Sequence, residues 1–268
     1  ISVMCQARVV RFVIEQRTPF AEGASFGTVG PYERITGTAY CEVDPKDPLN
    51  AGIVDIALAP KNARGLVEFS TPFFVLKPAD MSRANGKIFY TANNRGNDAL
   101  YVAKTRADVG LNDFPLRMGY VIADAGWQGD IEPVATRLAA NLPIAKQANG
   151  QPITGRMRVE YDDRNMTKEG AFTLNLEGNP AFKSYETADT DTAHATFTVR
   201  DAVDAPPTPI PADRWAFGKC PNGRASLTPS GFDICYFDGF HLDKIYELVY
   251  TAKNPFVMGL GFATTRDV

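Results

Sequence analysis

Short apolar runs separated by turn-forming residues dominate the first 78 positions of the chain. They include ARVVRFVIEQRTPF, ERITGTAYCEVDP, GIVDIALAP and GLVEFSTPFFVLKPAD. Each run is rich in β-branched and aromatic residues and is bounded by Gly, Pro or Asp, a pattern typical of strands joined by turns. Residues 1–78 are therefore predicted to form antiparallel strands.

The pattern changes after residue 78. The runs GKIFYTANNRGN and GYVIADAGWQGD are compact and apolar before they end in polar loops, which is typical of strands buried on both faces of a parallel sheet. The segment between them, ALYVAKTRADVG, has some helical character. IEPVATRLAANLPIAK predicts a further helix, whose length Pro133 and Pro143 limit. The fold class predicted for this region is α/β.

A second β-rich stretch covers residues 151–235, with RMRVEY, GAFTLNL and HATFTVRD as predicted strands. The final segment, KIYELVYTAKNPFVMGLGFATTRDV, predicts a strand or short helix, a turn and the start of another helix. Three regions follow from this pattern. Residues 1–150 hold the N-terminal strands and the first part of a sheet, 151–235 form a β-rich insertion, and 236–268 return to the core and stop at the start of a helix.

Composition excludes several functional classes. Hydrophobic residues make up 44% of the chain, charged residues 22%, and the net charge is −3, as in ordinary globular proteins. Because lysines and arginines are scattered, nucleic-acid binding is not expected. No apolar run approaches the roughly 18 residues that a membrane span requires. The first residue is Ile, which fits a removed signal peptide and a secreted or periplasmic location, although a recombinant fragment would look the same.

Two of the four cysteines, Cys220 and Cys235, lie close together in the turn-rich segment KCPNGRASLTPSGFDIC. Neither CxxC nor HxxxH occurs, so no metal site is predicted, and no cofactor is expected. A disulfide between Cys220 and Cys235 is predicted, with two free thiols as the alternative. Cys5 and Cys41 lie in predicted strands and are interpreted as small buried side chains.

Four blocks of the chain carry a resemblance to a known family. They are RTPFAEGASFGTVGPYERITGTAYCEVDP, IFYTANNRGN, GYVIADAGWQGD and YELVYTAKNPFVMGLGFATTRD. These blocks are similar to the N-terminal portion of large bacterial α/β-hydrolase domain-containing proteins, and the resemblance covers nearly all of the chain. It implies an α/β-hydrolase-like mixed sheet with N-terminal antiparallel strands and a β-rich insertion.

The resemblance also implies a function. The intact protein is expected to be a serine carboxylic-ester hydrolase acting on a small-molecule ester. Its nucleophile elbow and triad are expected in a downstream C-terminal portion that packs against PFVMGLGF, which would otherwise expose a contiguous apolar surface. This chain alone is then expected to be inactive. A non-catalytic extracellular binding module on the same scaffold is the alternative.

Candidate site residues follow the two compact apolar runs. From the residues alone, the loop Asn94-Arg95-Gly96 is interpreted as a strand-to-helix turn capped by Asn. With the resemblance, its backbone N–H groups become candidate oxyanion-hole donors. Trp127 and Gln128 follow the second run and are predicted to line the substrate pocket, because ligands bind at the carboxyl ends of strands in open α/β sheets.

Ser25 lies in Gly23-Ala24-Ser25-Phe26-Gly27, which matches the pattern GxSxG. A nucleophile at this position needs a helix immediately after it, and Gly30-Pro31 disfavours one. Ser25 is therefore predicted to lie in a loop between strands. His194 is predicted on a strand and His241 in a turn, both in structural or surface roles. No triad residue is assigned, and an unusual pairing of Ser25 with His241 is the competing hypothesis.

Overall fold

A computed structural model describes residues 8–268 of the protein, and the chain divides into two compact units. The first unit comprises the chain up to Ile144 together with Phe256–Val268. The second unit is Ala145–Pro255. Cys5 lies outside the described residues.

Six strands form the sheet of the first unit. Their bounds are β1 Arg8–Pro19, β2 Ser25–Phe26, β3 Gly30–Val43, β4 Val67–Pro78, β5 Ile88–Tyr90 and β6 Val121–Ala125. The strand order is β1-β3-β4-β6-β5, and β2 pairs with the start of β3. All neighbouring strands are antiparallel except β5 and β6, which are parallel. The antiparallel strands predicted before residue 78 are confirmed for the described residues except for GIVDIALAP, which forms turns and the 3-10 helix Ile56–Leu58 instead of a strand.

The helices of the first unit are short. They are α1 Ala99–Val102, α2 Arg106–Val109, α3 Phe114–Arg117 and, near the end of the chain, α4 Leu260–Asp267. At the starts of α1 and α2, side chains accept hydrogen bonds from the first backbone N–H groups. Asp98 accepts hydrogen bonds at the start of α1, and Thr105 forms a capping box with Asp108 at the start of α2. Within residues 8–268, no helix has both the length and the apolar character needed to cross a membrane.

The predicted α/β class, with its α/β-hydrolase-like sheet, is wrong for this chain. Strands account for 40% of the structure and helices for 18%, so the fold is β-rich. The connection from β5 to β6 holds only short helical turns instead of a full crossover helix. Residues 131–146 form no helix, because Pro133 and Pro143 lack an N–H and disfavour helical backbone before them.

Strand β5 also differs from its prediction. The apolar run GKIFY predicted a strand buried on both faces, but β5 is an edge strand that pairs only with β6. Ile88 is consequently 69% exposed. An apolar run by itself does not distinguish a central strand from an edge strand.

One hydrophobic cluster of the first unit lies on one face of β4. Phe74 and Leu76 are two residues apart, so they project from the same face, and both are fully buried. They pack with Leu100 of α1 and Leu116 of α3. The hydroxyl of Tyr32 on β3 donates a 2.8 Å hydrogen bond to the carbonyl oxygen of Leu116. The short helices are therefore held to the sheet by apolar packing and a buried hydrogen bond.

Helix α4 packs tightly against the loop that follows β6. A Cβ on Gly261 would lie 1.6 Å from the carbonyl oxygen of Trp127, so only glycine fits at this contact. Val257 and Leu260 are buried, whereas Phe262 is 70% exposed, with its ring centroid 5.9 Å from that of Trp127. Pro255, Phe256 and Met258 are also partly exposed, and the contiguous apolar surface predicted for PFVMGLGF stays a prediction.

The second unit contains two sheets. Its strands are β7 Thr154–Tyr161, β8 Ala171–Asn175, β9 Thr196–Arg200, β10 Thr208–Pro209, β11 Trp215–Lys219, β12 Thr228–Phe240 and β13 Ile245–Lys253. One sheet has the order β10-β9-β13-β7 and the other the order β11-β12-β8. Buried and half-buried residues alternate along all of β13, as expected for a strand packed on one face.

An aromatic cluster joins the two sheets of the second unit. The ring of Phe197 on β9 lies 5.5 Å from Trp215 on β11, 6.1 Å from Phe240 on β12 and 5.9 Å from Tyr246 on β13. These residues come from both sheets and are buried together. The two sheets therefore pack face to face, in the manner of a β-sandwich.

The predicted disulfide between Cys220 and Cys235 is present in the second unit. It links Cys235 on β12 to Cys220, the residue that follows β11. Strands β11 and β12 also pair with each other. Both cysteines are fully buried. Cys41 in the first unit is a buried free thiol, and burial raises its pKa to about 12, as expected for the inert interior side chain that was predicted.

Candidate functional site

Asn93 links the two loops that follow the parallel strands β5 and β6. Its Nδ2 donates hydrogen bonds to Asp124 Oδ1 at 3.1 Å and to the carbonyl oxygen of Ala125 at 2.9 Å. Its Oδ1 accepts the N–H of Gly96 at 2.8 Å, and its backbone oxygen accepts the indole N–H of Trp127 at 2.8 Å. The Asn93 side chain therefore ties the loop after β5 to the end of β6, and its backbone oxygen ties that loop to Trp127. We call Asn93 and Asp124 together the Asn93–Asp124 pair.

Asp124 is the buried carboxyl group of this pair. It is 1% exposed, and burial raises its pKa to about 7, against the opposing effect of hydrogen bonds from Asn93 and from the N–H of Ala125. Its Oδ2 is buried and has no hydrogen-bond partner among residues 8–268. A carboxyl group that titrates near neutral pH is able to take up and release a proton under ordinary conditions.

Further polar groups lie in or near these loops. The pKa of the Tyr90 hydroxyl at the end of β5 is raised, mainly by burial and secondly by the charge of Asp124. Gln128 Oε1 and Asp130 Oδ1 are buried atoms without a hydrogen-bond partner in the described part of the chain. Unpaired buried oxygens are costly, and their concentration at the ends of two parallel strands marks this region as the candidate functional site.

The loop after β5 has a constrained backbone. Arg95 and Gly96 both have positive φ, at 51° and 77°. A Cβ on Gly96 would lie 3.0 Å from the carbonyl oxygen of Leu138. The backbone N–H of Leu138 in turn donates a hydrogen bond to the carbonyl oxygen of Gly96. Glycine is therefore required here by both its conformation and its close contact.

The N–H groups of two predicted oxyanion donors are engaged within this loop. Gly96 donates to the Asn93 side chain, and Asn94 donates to the carbonyl oxygen of Asn97 at 3.2 Å. An oxyanion role for either residue requires these bonds to be exchanged for one to substrate. The assignment of Asn94, Arg95 and Gly96 as donors stays a prediction.

Trp127 and Gln128 lie beside the Asn93–Asp124 pair. Trp127 is half-buried and bonded through its indole to Asn93, while Gln128 is buried and its backbone oxygen accepts the N–H of Ala140 at 2.8 Å. Their role in lining a substrate pocket stays a prediction. Asn93 and Asp124 were not among the predicted site residues, although each is a polar residue at or after the end of an apolar run.

Ser25 and the two histidines lie in different units of the chain. Ser25 lies in the short strand β2 of the first unit, and no helix follows Gly27 before β3 begins. Both histidines belong to the second unit, where His194 Nδ1 lies 3.1 Å from Asp189 and His241 Nδ1 lies 2.6 Å from Glu169. The strand position predicted for His194 is wrong, because it ends the 3-10 turn Thr192–His194. Among the described residues, no group of three or more His, Cys, Asp or Glu side chains could hold a metal ion.

Asp124 is expected to make the stability of the first unit depend on pH. Its pKa is about 7 in the folded chain and ordinarily 3.8, so the folded state binds the proton more tightly. The stabilisation is complete below about pH 4 and is lost as the pH rises through about 7. The loss is on the order of 2–4 kcal/mol, and Asp124→Asn is expected to abolish it.

Urea denaturation between about pH 4 and pH 8 measures this effect as the slope of unfolding free energy against pH. Asp108→Asn is the matched control, because Asp108 is an exposed carboxyl group whose pKa is lowered by hydrogen bonds in the α2 capping box. Its replacement should leave the decline toward neutral pH intact. Parallel slopes for the wild type and Asp124→Asn would show that Asp124 does not titrate in this range.

Three comparisons with known proteins complete the description of the site. No protein-family model, no curated protein and no solved structure matches this chain.

Proposed function

We propose that this chain contributes part of the active-site scaffold of a carboxylic-ester hydrolase. The observation that carries the proposal is the Asn93–Asp124 pair, which ties the loop after β5 to the carboxyl end of the parallel strand β6. Loops at such strand ends are the usual place for ligands in sheets with parallel strands. The family resemblance of IFYTANNRGN and GYVIADAGWQGD, the segments that contain these two residues, supports the same function.

The pair has a positioning role in this proposal. Ester hydrolysis needs a nucleophile, a base and donors directed at the developing oxyanion. The nucleophile and base are proposed to come from outside residues 8–268. The loop Asn94-Arg95-Gly96 is proposed to supply oxyanion donors, which requires the hydrogen bonds that Asn94 and Gly96 make within the loop to be exchanged for bonds to substrate. Asn93 holds this loop through the N–H of Gly96, and the bond to Asp124 fixes the orientation of the Asn93 amide. Small displacements of oxyanion donors are costly, because each is worth about 2.7–4 kcal/mol in the transition state.

Hydrolysis of p-nitrophenyl butyrate by the native gene product that contains this chain tests the proposal. Turnover is expected, and Asn93→Ala is expected to lower kcat by about 100-fold or more. Asn93→Asp is the second variant, because it keeps an acceptor for Gly96 but loses the donor to Asp124. Asn85→Ala is the matched control, since Asn85 is an exposed asparagine bonded to the carbonyl oxygen of Met118.

Circular dichroism of each variant separates loss of activity from loss of folding. Folded Asn93 variants that retain full kcat would remove the pair from the proposed site. Absence of any turnover by the native product would overturn the proposed function itself.

A non-catalytic binding module is the second candidate. It accounts for the buried Gln128 Oε1 and Asp130 Oδ1, which have no partner among residues 8–268, as ligand contacts without requiring a nucleophile. A fluorophosphonate probe distinguishes the two candidates, because it labels an activated serine. Covalent labelling of the native product supports the hydrolase, and ligand binding without labelling supports the module.

A secreted or periplasmic location is part of the proposal. The Cys220–Cys235 disulfide supports it, because disulfides persist mainly in oxidising compartments. Either candidate function is compatible with such a location.

A further inference from the structure

Strand β1 lies at an edge of the sheet in the first unit. In the described part of the chain it pairs only with β3, so one side of its backbone has no neighbouring strand there. The N–H and C=O groups along such a side are able to pair with a strand of another chain. This edge is at the opposite end of the sheet from β5.

Two large apolar side chains of β1 are exposed on the same face of the sheet. Phe12 and Ile14 are two residues apart, so they project in the same direction, and they are 51% and 47% exposed. The ring of Phe12 packs edge-on against Phe73 of β4, with the ring centroids 5.1 Å apart. Apolar side chains exposed along an unpaired edge favour association with a second strand.

The other face of β1 carries two opposite charges. The guanidinium carbon of Arg11 lies 4.0 Å from the ring centroid of Tyr40, and Glu15 Oε1 accepts a 2.8 Å hydrogen bond from the hydroxyl of Thr38. Tyr40 and Thr38 are two residues apart on β3, so the two charged side chains lie on one face. Both are exposed, and neither belongs to an ion pair within residues 8–268.

Antiparallel pairing with β1 of a second copy makes these charges complementary. In the register centred on Val13, Arg11 of each copy is opposite Glu15 of the other, and the two-fold symmetry forms this pair twice. On the other face, Phe12 is then opposite Ile14, also twice. A register centred on Arg11 would instead place two arginines opposite each other, which is unfavourable.

Two β-bulges limit the length of β1 that is able to pair. The register of β1 against β3 shifts between Val9 and Arg11 and again between Ile14 and Gln16. Bulges twist an edge strand and hinder its pairing with other chains. The register centred on Val13 uses the regular stretch between the two bulges. A contact of this length is small, so the association is expected to be reversible.

We propose that two copies of this chain form a reversible dimer of two-fold symmetry, in which their β1 strands pair antiparallel in the register centred on Val13. The sheets of the two copies then join edge to edge. This interaction is additional to ester hydrolysis and does not depend on it.

Sedimentation velocity of the native gene product that contains this chain tests the proposal. A concentration-dependent equilibrium between monomer and dimer is expected, and it should shift toward monomer at high salt because the charges are exposed. Arg11→Glu replaces both attractive pairs of the dimer by repulsive ones, so it should raise the dissociation constant about tenfold or more. Glu15→Arg should have the same effect.

An equimolar mixture of the two variants is the decisive measurement. In a mixed dimer, the glutamates at positions 11 and 15 of one copy are opposite the arginines at positions 15 and 11 of the other. Both attractive pairs are therefore restored. The mixture is expected to dimerise about as tightly as the wild type, although each variant alone does not. A loss of association caused by misfolding would not be reversed in this way.

Arg156→Glu is the matched control. It reverses the charge of an exposed arginine on β7, which is an edge strand of the second unit, and it should leave the dissociation constant unchanged. Circular dichroism of each variant confirms folding. Each of three results would overturn the proposal: a wild type that stays monomeric at every concentration, an Arg11→Glu variant that dimerises as tightly as the wild type, or a mixture that associates no better than its components.

Discussion

Replacement of Gly261 by alanine is expected to destabilise the first unit by about 3 kcal/mol or more. In most helices this change is stabilising by about 1 kcal/mol, because glycine is a poor helix former. Here the added Cβ would lie 1.6 Å from a backbone carbonyl oxygen, that of Trp127, which no rotamer change can move away. Either α4 or the loop after β6 must shift, so the steric cost outweighs the helix propensity.

Urea denaturation followed by circular dichroism measures this loss of stability. Gly52→Ala is the matched control, because no heavy atom lies within 4 Å of the position that its Cβ would take. The control should unfold within about 0.5 kcal/mol of the wild type. A Gly261→Ala variant as stable as the wild type would mean that α4 does not pack against Trp127 as described.

Loss of the disulfide is the second change with a large expected effect. Substitution of both Cys220 and Cys235 by alanine should destabilise the second unit by about 3 kcal/mol, since the bridge closes a loop with a sequence separation of 15. For a unit of this size the melting temperature should fall on the order of 15 °C. Scanning calorimetry in the presence and absence of a reductant measures the shift.

The reductant provides an internal comparison. It should lower the Tm of the wild type but leave the doubly substituted protein unchanged. Cys41→Ala is the matched control, because it removes a buried thiol that forms no disulfide. If the wild type melts at the same temperature with and without reductant, the bridge does not stabilise the folded chain.

Local patterns predicted much of the secondary structure. The alternation in IYELVYTAK corresponds to β13, and the run RVVRFVIEQRTP to β1. The disulfide was also predictable, because its two cysteines are close in sequence. The helix expected from IEPVATRLAANLPIAK was not formed, since its two prolines outweighed the surrounding helix-forming residues.

The candidate site depended on contacts that no local pattern specifies. Asn93 and Asp124 are 31 residues apart, and they meet only because β5 pairs in parallel with β6, with Tyr90 opposite Ala123. The apolar runs of both strands can be recognised in the sequence, but the position of each strand within the sheet cannot. For the same reason, the exposure of Ile88 was not predicted.

The distribution of tryptophan gives the protein a pair of optical reporters. The chain has only two tryptophans, and each unit contains one of them. Trp215 is enclosed by aromatic rings in the sandwich, whereas Trp127 is half-buried beside Phe262. With Trp215→Phe, the remaining fluorescence comes from the unit that contains Gly261, and with Trp127→Phe it comes from the unit that contains the disulfide. The unfolding of either unit can therefore be followed by its own emission, without an attached dye.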